Sequence, residues 1–257
     1  DRLPDTNGGR VLNTDIAREL SADYLQNRTR AADVHEPASA FIKRRYAEKL
    51  AGPTPEGLDR RVLFTAGGAG AGKSSVVREL LTDEAGQSEI TYDTNMDGLG
   101  SSILKIEQAL NAGREVTIAY VYAKPEDAFQ QAMKRTMYQK KEHGTGRTVP
   151  IQVFIDTHIG VSKTIRNLAD RYRHDLRVEF SFLDNSRGYK NAAAVPLRDL
   201  PVVADNGLRE KLEAAAQEAF REGRIDADTR AGFLAAPQHA PRAPRVGAAD
   251  GGRSEPG

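Results

Sequence analysis

Residues 67–74 have the sequence Gly67-Gly68-Ala69-Gly70-Ala71-Gly72-Lys73-Ser74, which fits the phosphate-binding pattern G-x-x-x-x-G-K-[ST]. The apolar run at 62–64 predicts a strand before it, and apolar residues at helical spacing follow it. Glycines let backbone N–H groups approach a phosphate, and a helix N-terminus adds partial positive charge. The segment therefore predicts a P-loop; the alternative is a glycine-rich turn that binds nothing.

The P-loop assigns a first set of contacts, with ATP as the nucleotide and Mg²⁺ as its metal. Lys73 is predicted to reach the β- and γ-phosphates, and Ser74 to hold Mg²⁺. The predicted ATP contacts are Gly67, Gly68, Ala69, Gly70, Ala71, Gly72, Lys73, Ser74 and Ser75.

Composition narrows the class of protein. The chain has 257 residues and a formal net charge of +1, so charge gives no reason to expect nucleic-acid binding. It has no cysteine, which excludes disulfides, thiolate metal sites and thiol catalysis. No apolar run approaches the length of a membrane span, so we expect no membrane contact and a cytoplasmic location.

Strand patterns alternate with helix patterns along the chain, which predicts an α/β fold of the P-loop NTPase or kinase type, with a mostly parallel sheet flanked by helices. The predicted strands are 10–12, 62–64, 89–93, 116–122 and 177–183. The main predicted helices include 41–50, 103–110, one beginning at Pro125, 161–172 and 207–220. We predict a kinase domain over 1–200, a helical extension over 201–235 and a disordered tail over 236–257.

Two arginines after the P-loop suggest phosphoryl transfer. Arg135 is predicted at the end of a helix, and Arg147 lies in the loop 144–150 before the next one. This spacing is typical of the lid of small-molecule kinases, in which arginines neutralise charge on the transferring phosphoryl group. Solvated surface charge is the alternative for each.

The ordered set of motifs resembles the zeta-toxin family of P-loop kinases, which phosphorylate UDP-N-acetylglucosamine. The matching segments are the P-loop, 92–94, 124–126, the Arg135 helix, 146–150 and 183–185. The resemblance implies an ATP-dependent kinase acting on a sugar-nucleotide, and an antitoxin as possible partner. It also implies that Asp184 and Asn185 lie near the adenine.

The family's catalytic aspartate is missing from its usual place after the P-loop helix. The segment Val11-Leu12-Asn13-Thr14-Asp15-Ile16-Ala17-Arg18, upstream of the P-loop, is similar to it. We therefore predict a circular permutation, with the Asp15 strand in the same parallel sheet beside the P-loop strand and Asp15 as catalytic base. Arg18 and His35 would then contact the substrate. The alternative is that Asp15 only caps a helix beginning at Ile16.

Two residues at the end of a predicted strand, Asp93 and Thr94, correspond to family positions that contact the sugar-nucleotide. Asp93 is alternatively a Walker-B-like group that holds Mg²⁺ through water, or a turn residue. Asn95 and Asp97 are either substrate contacts or turn residues. His158 falls on an apolar helix face, which favours a place in the core over catalysis, and no zinc site is predicted.

The sequence thus predicts a phosphotransferase with Asp15, Lys73, Arg135 and Arg147 as catalytic residues. One alternative is a kinase acting on NAD or another nucleotide-like acceptor. Another is a catalytically silent ATP-binding module of a larger protein, which a chain beginning at Asp1 would permit. Hydrolysis is disfavoured because no motif positions a water.

Overall fold

The computed structural model describes residues 6–237, and a six-stranded sheet forms its centre. The strands are β1 Val11–Asn13, β2 Asp59–Ala66, β3 Ser88–Asp93, β4 Glu115–Tyr122, β5 Val178–Asp184 and β6 Ala193–Ala194. The helices are α1 Thr14–Arg18, α2 Ala22–Gln26, α3 His35–Ala51, α4 Lys73–Leu80, α5 Thr82–Gln87, α6 Leu99–Asn111, α7 Pro125–His143, α8 Ile151–Arg171, α9 Leu208–Arg221 and α10 Ala227–Leu234. Short 3₁₀ turns occupy 28–31, 189–191 and 197–199.

The strand order is β1-β3-β2-β4-β5-β6, with β1 to β5 parallel and β6 antiparallel to β5. This confirms the predicted α/β class with a mostly parallel sheet. The strand before Asp15 is in the same sheet, but its predicted place beside the P-loop strand is wrong. The P-loop strand β2 pairs with the longer strand β3. The three-residue β1 pairs with the other edge of β3 and lies at the edge of the sheet.

The two faces of the sheet are covered unequally. Val62 and Phe64 of β2 face a large core completed by residues of α3, α6 and α8, such as Tyr46 and Ile165. Leu63 faces the other side and packs with residues of α4. Side chains alternate between the faces of a strand, so an unbroken apolar run places β2 in the centre of the sheet, buried on both faces.

A third apolar cluster lies where α7, α8, α9 and α10 meet. Phe129 of α7 packs edge-to-face against Phe154 of α8 and Phe233 of α10. Leu212 of α9 is fully buried in the same cluster. Helices α9 and α10, which form the predicted 201–235 extension, therefore pack directly on α7 and α8.

Several helix boundaries differ from those predicted. Helix α3 begins at His35 instead of near Phe41, because Pro37 falls in its first turn, where a missing N–H costs nothing. Helix α7 continues to His143 and ends where Gly144 adopts a left-handed φ of 76°. The predicted tail lies outside the described residues from 238 onward. None of the helices described over 6–237 is long and apolar enough to cross a membrane.

Candidate active site

A large cleft of about 1240 Å³ opens at the carboxyl ends of the parallel strands, where ligands bind in open α/β sheets. The P-loop stands in its middle. Toward β5 the cleft is bordered by 185–189, and toward β3 by 92–95 and by residues of α1, α3 and α6. The predicted site residues that line it are Asp15, Arg18, His35, Ala69, Gly70, Ala71, Gly72, Lys73, Ser74, Ser75, Asp93, Thr94, Arg135, Arg147 and Asn185. Gly67 and Gly68 lie behind this surface.

The P-loop connects β2 to α4, as the sequence predicts. The ammonium of Lys73 donates to the carbonyl of Gly67, at 3.1 Å, and to Oδ1 of Asn95, at 2.8 Å. The N–H of Gly67 in turn donates to the carbonyl of Asn95. Asn95, whose role the sequence left open, therefore holds both ends of the loop in place. The N–H of Ser75 donates to the carbonyl of Gly72, whereas the N–H groups of Lys73 and Ser74 precede the first hydrogen bond of α4 and are available to a phosphate.

His158 of α8 supports the P-loop from below. It is buried, as its spacing predicts, and its Nε2 donates to the carbonyl of Ala69 at 2.9 Å. A Cβ on Gly68 would collide with its imidazole ring. Burial lowers the pKa of His158 to about 4, and the nearby charge of Lys73 adds to the lowering, so the ring is neutral at pH 7. The contact between His158 and Ala69 joins residues far apart in sequence, and no sequence motif predicts it.

Asp15 is surrounded by arginines. Its Oδ2 lies 2.6 Å from Nη1 of Arg147 and 3.8 Å from Nη2 of Arg135, and its Oδ1 accepts from Arg18 at 2.8 Å. Asp15 is the second residue of α1, and the cap of that helix is Asn13, whose Oδ1 accepts from the N–H of Asp15. The alternative role of Asp15 as the helix cap is therefore wrong.

The charge state of Asp15 follows from these neighbours. Burial alone would raise the pKa of its carboxyl, but the charges of Arg147, Arg18 and Arg135 outweigh burial and hold the pKa well below its usual range. Asp15 is thus a carboxylate at all physiological pH values.

The position of Arg135 differs from the prediction. Arg135 was predicted to end a helix, which is wrong, because it lies within α7. Its side chain is 63% exposed, whereas that of Arg147 is 22% exposed.

Asp93 ends β3, directly beside the P-loop strand. Its Oδ1 accepts from the hydroxyl of Thr65 at 2.6 Å, and its Oδ2 accepts from the amide of Asn13 at 2.5 Å. Each carboxylate oxygen has a further lone pair, so these bonds orient the group without exhausting it. Asn13 thereby links the strand end at Asp93 to the helix that carries Asp15.

Arg18 and His35 form the wall beside Asp15. Nη2 of Arg18 lies 2.6 Å from Nδ1 of His35. Since a guanidinium only donates, Nδ1 accepts and the ring carries its proton on Nε2. Burial lowers the pKa of His35, and the charge of Arg18 lowers it further, so the ring is neutral.

The loop that carries Arg147 is braced on three sides. The N–H of Arg147 donates to Gln139 of α7, and its carbonyl accepts from the hydroxyl of Thr136 at 2.7 Å. The hydroxyl of Thr145 accepts from the N–H of Arg28. Gly232 of α10 packs so closely on Thr148 that a Cβ there would collide with it. Helix α10 therefore supports the loop, and no sequence pattern predicts this contact.

Asn185 follows β5 and borders the opposite side of the P-loop. Its Nδ2 donates to the carbonyl of Ala71 at 2.8 Å, while its Oδ1 is buried and has no hydrogen-bond partner among the residues of 6–237. Asp184 does not line the cleft; its Oδ1 accepts from the N–H of Ser186 and shapes the turn.

Comparison with protein families gives a match to part of the chain. The family model of the zeta toxin matches residues 84–192. That range contains Asp93, Arg135, Arg147 and Asn185, and it begins after the P-loop. The match confirms the resemblance that the motifs indicate. A search of curated protein sequences returned no match.

Solved structures with a similar arrangement include two of the AvrRxo1-ORF1:AvrRxo1-ORF2 complex. The one with sulphate ions has 13% identity, a TM-score of 0.45 and coverage of 65% of this chain and 66% of that one. The one with ATP has 12% identity, a TM-score of 0.46 and coverage of 58% and 60%. This chain thus spans less than two thirds of either. The PezAT toxin–antitoxin structure of Streptococcus pneumoniae has 11% identity, a TM-score of 0.41 and coverage of 72% and 96%.

Proposed function

For a chain whose residues 84–192 carry the zeta-toxin family pattern, we propose an ATP-dependent kinase that transfers the γ-phosphoryl group to a hydroxyl of a sugar-nucleotide such as UDP-N-acetylglucosamine. The observation that carries the proposal is the placement of Asp15 in the P-loop cleft, in contact with Arg147 and within 3.8 Å of Arg135. A carboxylate beside a phosphate-binding loop, with arginines from a following helix and loop, is the set of groups that phosphoryl transfer needs.

The proposed chemistry assigns one step to each group. The acceptor hydroxyl donates a hydrogen bond to the Asp15 carboxylate, which directs the oxygen toward the γ-phosphorus. A new P–O bond forms, the bond to the β–γ bridging oxygen breaks, and ADP leaves. Because its pKa is so low, Asp15 chiefly orients the hydroxyl and takes its proton late, when the acidity of that oxygen has risen. Arg147 and Arg135 neutralise the charge on the transferring group.

The residues that would hold Mg²⁺ are Ser74 and Asp93, both of which line the cleft. Both offer hard oxygen ligands, and Asp93 keeps lone pairs beyond its bonds to Thr65 and Asn13. The described residues contain no cluster of three or more His, Cys, Asp and Glu side chains suited to a metal. Mg²⁺ suits such a sparse site, because it keeps several waters and binds mainly to the nucleotide, where it would neutralise phosphate charge.

The adenine would lie on the β5 side of the P-loop. The buried Oδ1 of Asn185, without a partner in the described part of the chain, is an acceptor available to a donor on the ligand, such as an exocyclic amino group. The opposite end of the cleft, toward Asp15 and Thr94, is then left for the acceptor.

The upstream position of β1 supports the circular permutation, which stays a prediction.

A kinase acting on NAD or another nucleotide-like acceptor is the second candidate. Its support is Asp93, because this aspartate is one methylene shorter than the glutamate that zeta toxins often carry at the corresponding strand end, which shortens its reach to a sugar-nucleotide. The family pattern also supports an antitoxin as a partner protein that holds the kinase inactive.

Incubation with γ-labelled ATP tests the proposal directly. The acceptor panel contains UDP-N-acetylglucosamine, other UDP-sugars, NAD and nucleosides, and the product is located by chromatography. The Lys73→Ala variant is the negative control, and Lys163→Ala, an exposed lysine of α8, is its matched partner. Labelled UDP-N-acetylglucosamine supports the first candidate and labelled NAD the second. Tight ATP binding without any product would show that the chain is a silent module.

A further inference from the structure

Two lysines line the proposed acceptor end of the cleft. Lys43 of α3 and Lys105 of α6 both line it, on the β3 side of the P-loop, together with Thr94 and Asp97. They lie at the end opposite Asn185. The P-loop therefore separates them from the proposed adenine pocket.

Neither ammonium has a hydrogen bond or ion pair with a side chain or backbone group of residues 6–237. Lys105 is half-buried, and its Nζ lies 5.5 Å from the ring centre of Tyr92. Burial lowers the pKa of Lys105 and the charge of Lys43 lowers it further, while Asp97 acts in the opposite direction. Both lysines thus add positive charge to the same side of the cleft, where Asp97 is the acidic residue beside them.

Lys43 is exposed and Lys105 is half-buried, so an anion bound on this side of the cleft would gain charge-assisted contacts with both and would compensate Lys105 for its lost hydration. We propose that Lys43 and Lys105 bind a phosphate or diphosphate group of the acceptor substrate. The assignment of this anion to the acceptor substrate rests on the proposed kinase function. The binding of an anion by the two lysines does not depend on catalysis.

The site restricts the acceptor to an anionic class. A sugar linked to a nucleoside diphosphate, or a dinucleotide, brings its diphosphate between the lysines while its hydroxyl reaches Asp15. A free sugar or a nucleoside lacks that group and leaves the two ammonium groups unneutralised. The lysines therefore select nucleotide-type acceptors over their unphosphorylated counterparts.

Binding to the ADP-saturated protein tests the site without catalysis, because ADP occupies the P-loop. Isothermal titration with UDP, uridine, NAD and inorganic pyrophosphate is carried out on the wild-type chain, Lys43→Gln/Lys105→Gln and the control Lys163→Gln. We expect UDP to bind wild type at least about 10-fold more tightly than uridine, since charge-assisted contacts are worth more than one tenfold step. The double variant loses that preference, and the control keeps it.

Glutamine keeps most of the length of each side chain, and an unchanged melting temperature and ADP affinity show that the double variant is folded. Raising the salt concentration should weaken UDP binding to wild type more than uridine binding. Equal binding of UDP and uridine, retention of the preference by the double variant, or no binding of UDP, NAD and pyrophosphate to wild type would each overturn the proposal.

The same variants separate this proposal from the kinase proposal. If label transfer occurs and the acceptor KM of the double variant is unchanged, the lysine site is refuted and the kinase stands. If no acceptor is labelled but UDP binding depends on the lysines, the anion site stands and the kinase is refuted. A rise of about 10-fold or more in acceptor KM with the KM for ATP unchanged supports both.

Discussion

The carboxylate of Asp15 lies 2.6 Å from the guanidinium of Arg147, although the P-loop stands between them in the sequence. The contact joins the helix after the edge strand β1 to the loop between α7 and α8. In this contact Asp15, which is proposed to orient the acceptor, meets Arg147, which is proposed to neutralise phosphate charge. The contact forms only in the assembled sheet, because the two residues follow strands that are separated by the P-loop strand.

Asp15→Asn should lower phosphotransfer by about 10²–10⁴-fold while leaving the affinity for ATP within a few-fold of wild type. The amide cannot take the proton of the acceptor hydroxyl, yet it keeps the size of the side chain. Turnover with the labelled acceptor and titration with an ATP analogue measure the two effects. Asp33→Asn, a change at an exposed residue outside the cleft, is the control, and full turnover in the Asp15 variant would remove Asp15 from the mechanism.

Arg147→Ala should lower kcat more than Arg135→Ala does, by about 10²–10³-fold for Arg147. Arg147 is largely buried and in direct contact with Asp15, whereas Arg135 is exposed and 3.8 Å away, so solvent screens its charge more. Steady-state kinetics of both variants, with Arg173→Ala on the surface as control, make the comparison. An equal or larger loss at Arg135 would contradict this ranking.

Gly68→Ala should weaken ATP binding and lower the free energy of unfolding by about 1–3 kcal/mol, because its new methyl group would collide with the ring of His158. Adding His158→Ala to that variant removes the collision and should restore part of the ATP affinity. Gly86→Ala, at a glycine with open space around it, is the matched control. Failure of the second substitution to restore any binding would show that the contact with His158 is not what limits the loop.

Stability should fall between about pH 6.5 and pH 4 because of His158. Its pKa is about 4 in the folded chain and 6.5 in the reference state, so within this range the unfolded chain binds the extra proton. A shift of this size corresponds to about 3 kcal/mol, lost as the pH falls and constant below pH 4. Denaturant unfolding at several pH values measures it.

His158→Gln should flatten most of that dependence, and the lowered pKa of His35 acts in the same direction and accounts for part of the remainder. Asp15 does not contribute in this range: its stabilising effect, which comes from a depressed pKa, is lost only as the pH falls below about 4. An unchanged slope in the His158 variant would contradict the assignment.

Gly232→Ala should lower kcat by about 10- to 100-fold with ATP affinity unchanged, because its Cβ would push on Thr148 and displace the neighbouring Arg147. Thr148→Ala in the same chain removes the colliding atoms and should recover much of the activity. Gly100→Ala, where nothing lies near the new methyl group, serves as control. A Gly232 variant with normal kcat would show that α10 does not position the loop.

The sequence by itself determined the local chemistry of this protein. The glycine loop, the lysine and the serine form one continuous segment, so their spacing alone predicts phosphate binding. The apolar runs of β2 and β4 predict a parallel sheet that is buried on both faces. Arg135 and Arg147 were found from their place after the P-loop, and Asp15 from the resemblance of its segment to the zeta-toxin family; all three line the cleft.

Only the tertiary structure decided which distant residues meet. The position of β1 at the edge of the sheet, where it pairs with β3 and not with β2, is not encoded by any local pattern. The contacts of His158 with Ala69, Asn95 with Lys73 and Gly232 with Thr148 join separate elements at close range, and Lys43 and Lys105 come from two different helices to line one side of the cleft. Such contacts depend on the packing of helices across the sheet, and sequence periodicity specifies which face of a helix is buried but not what it meets.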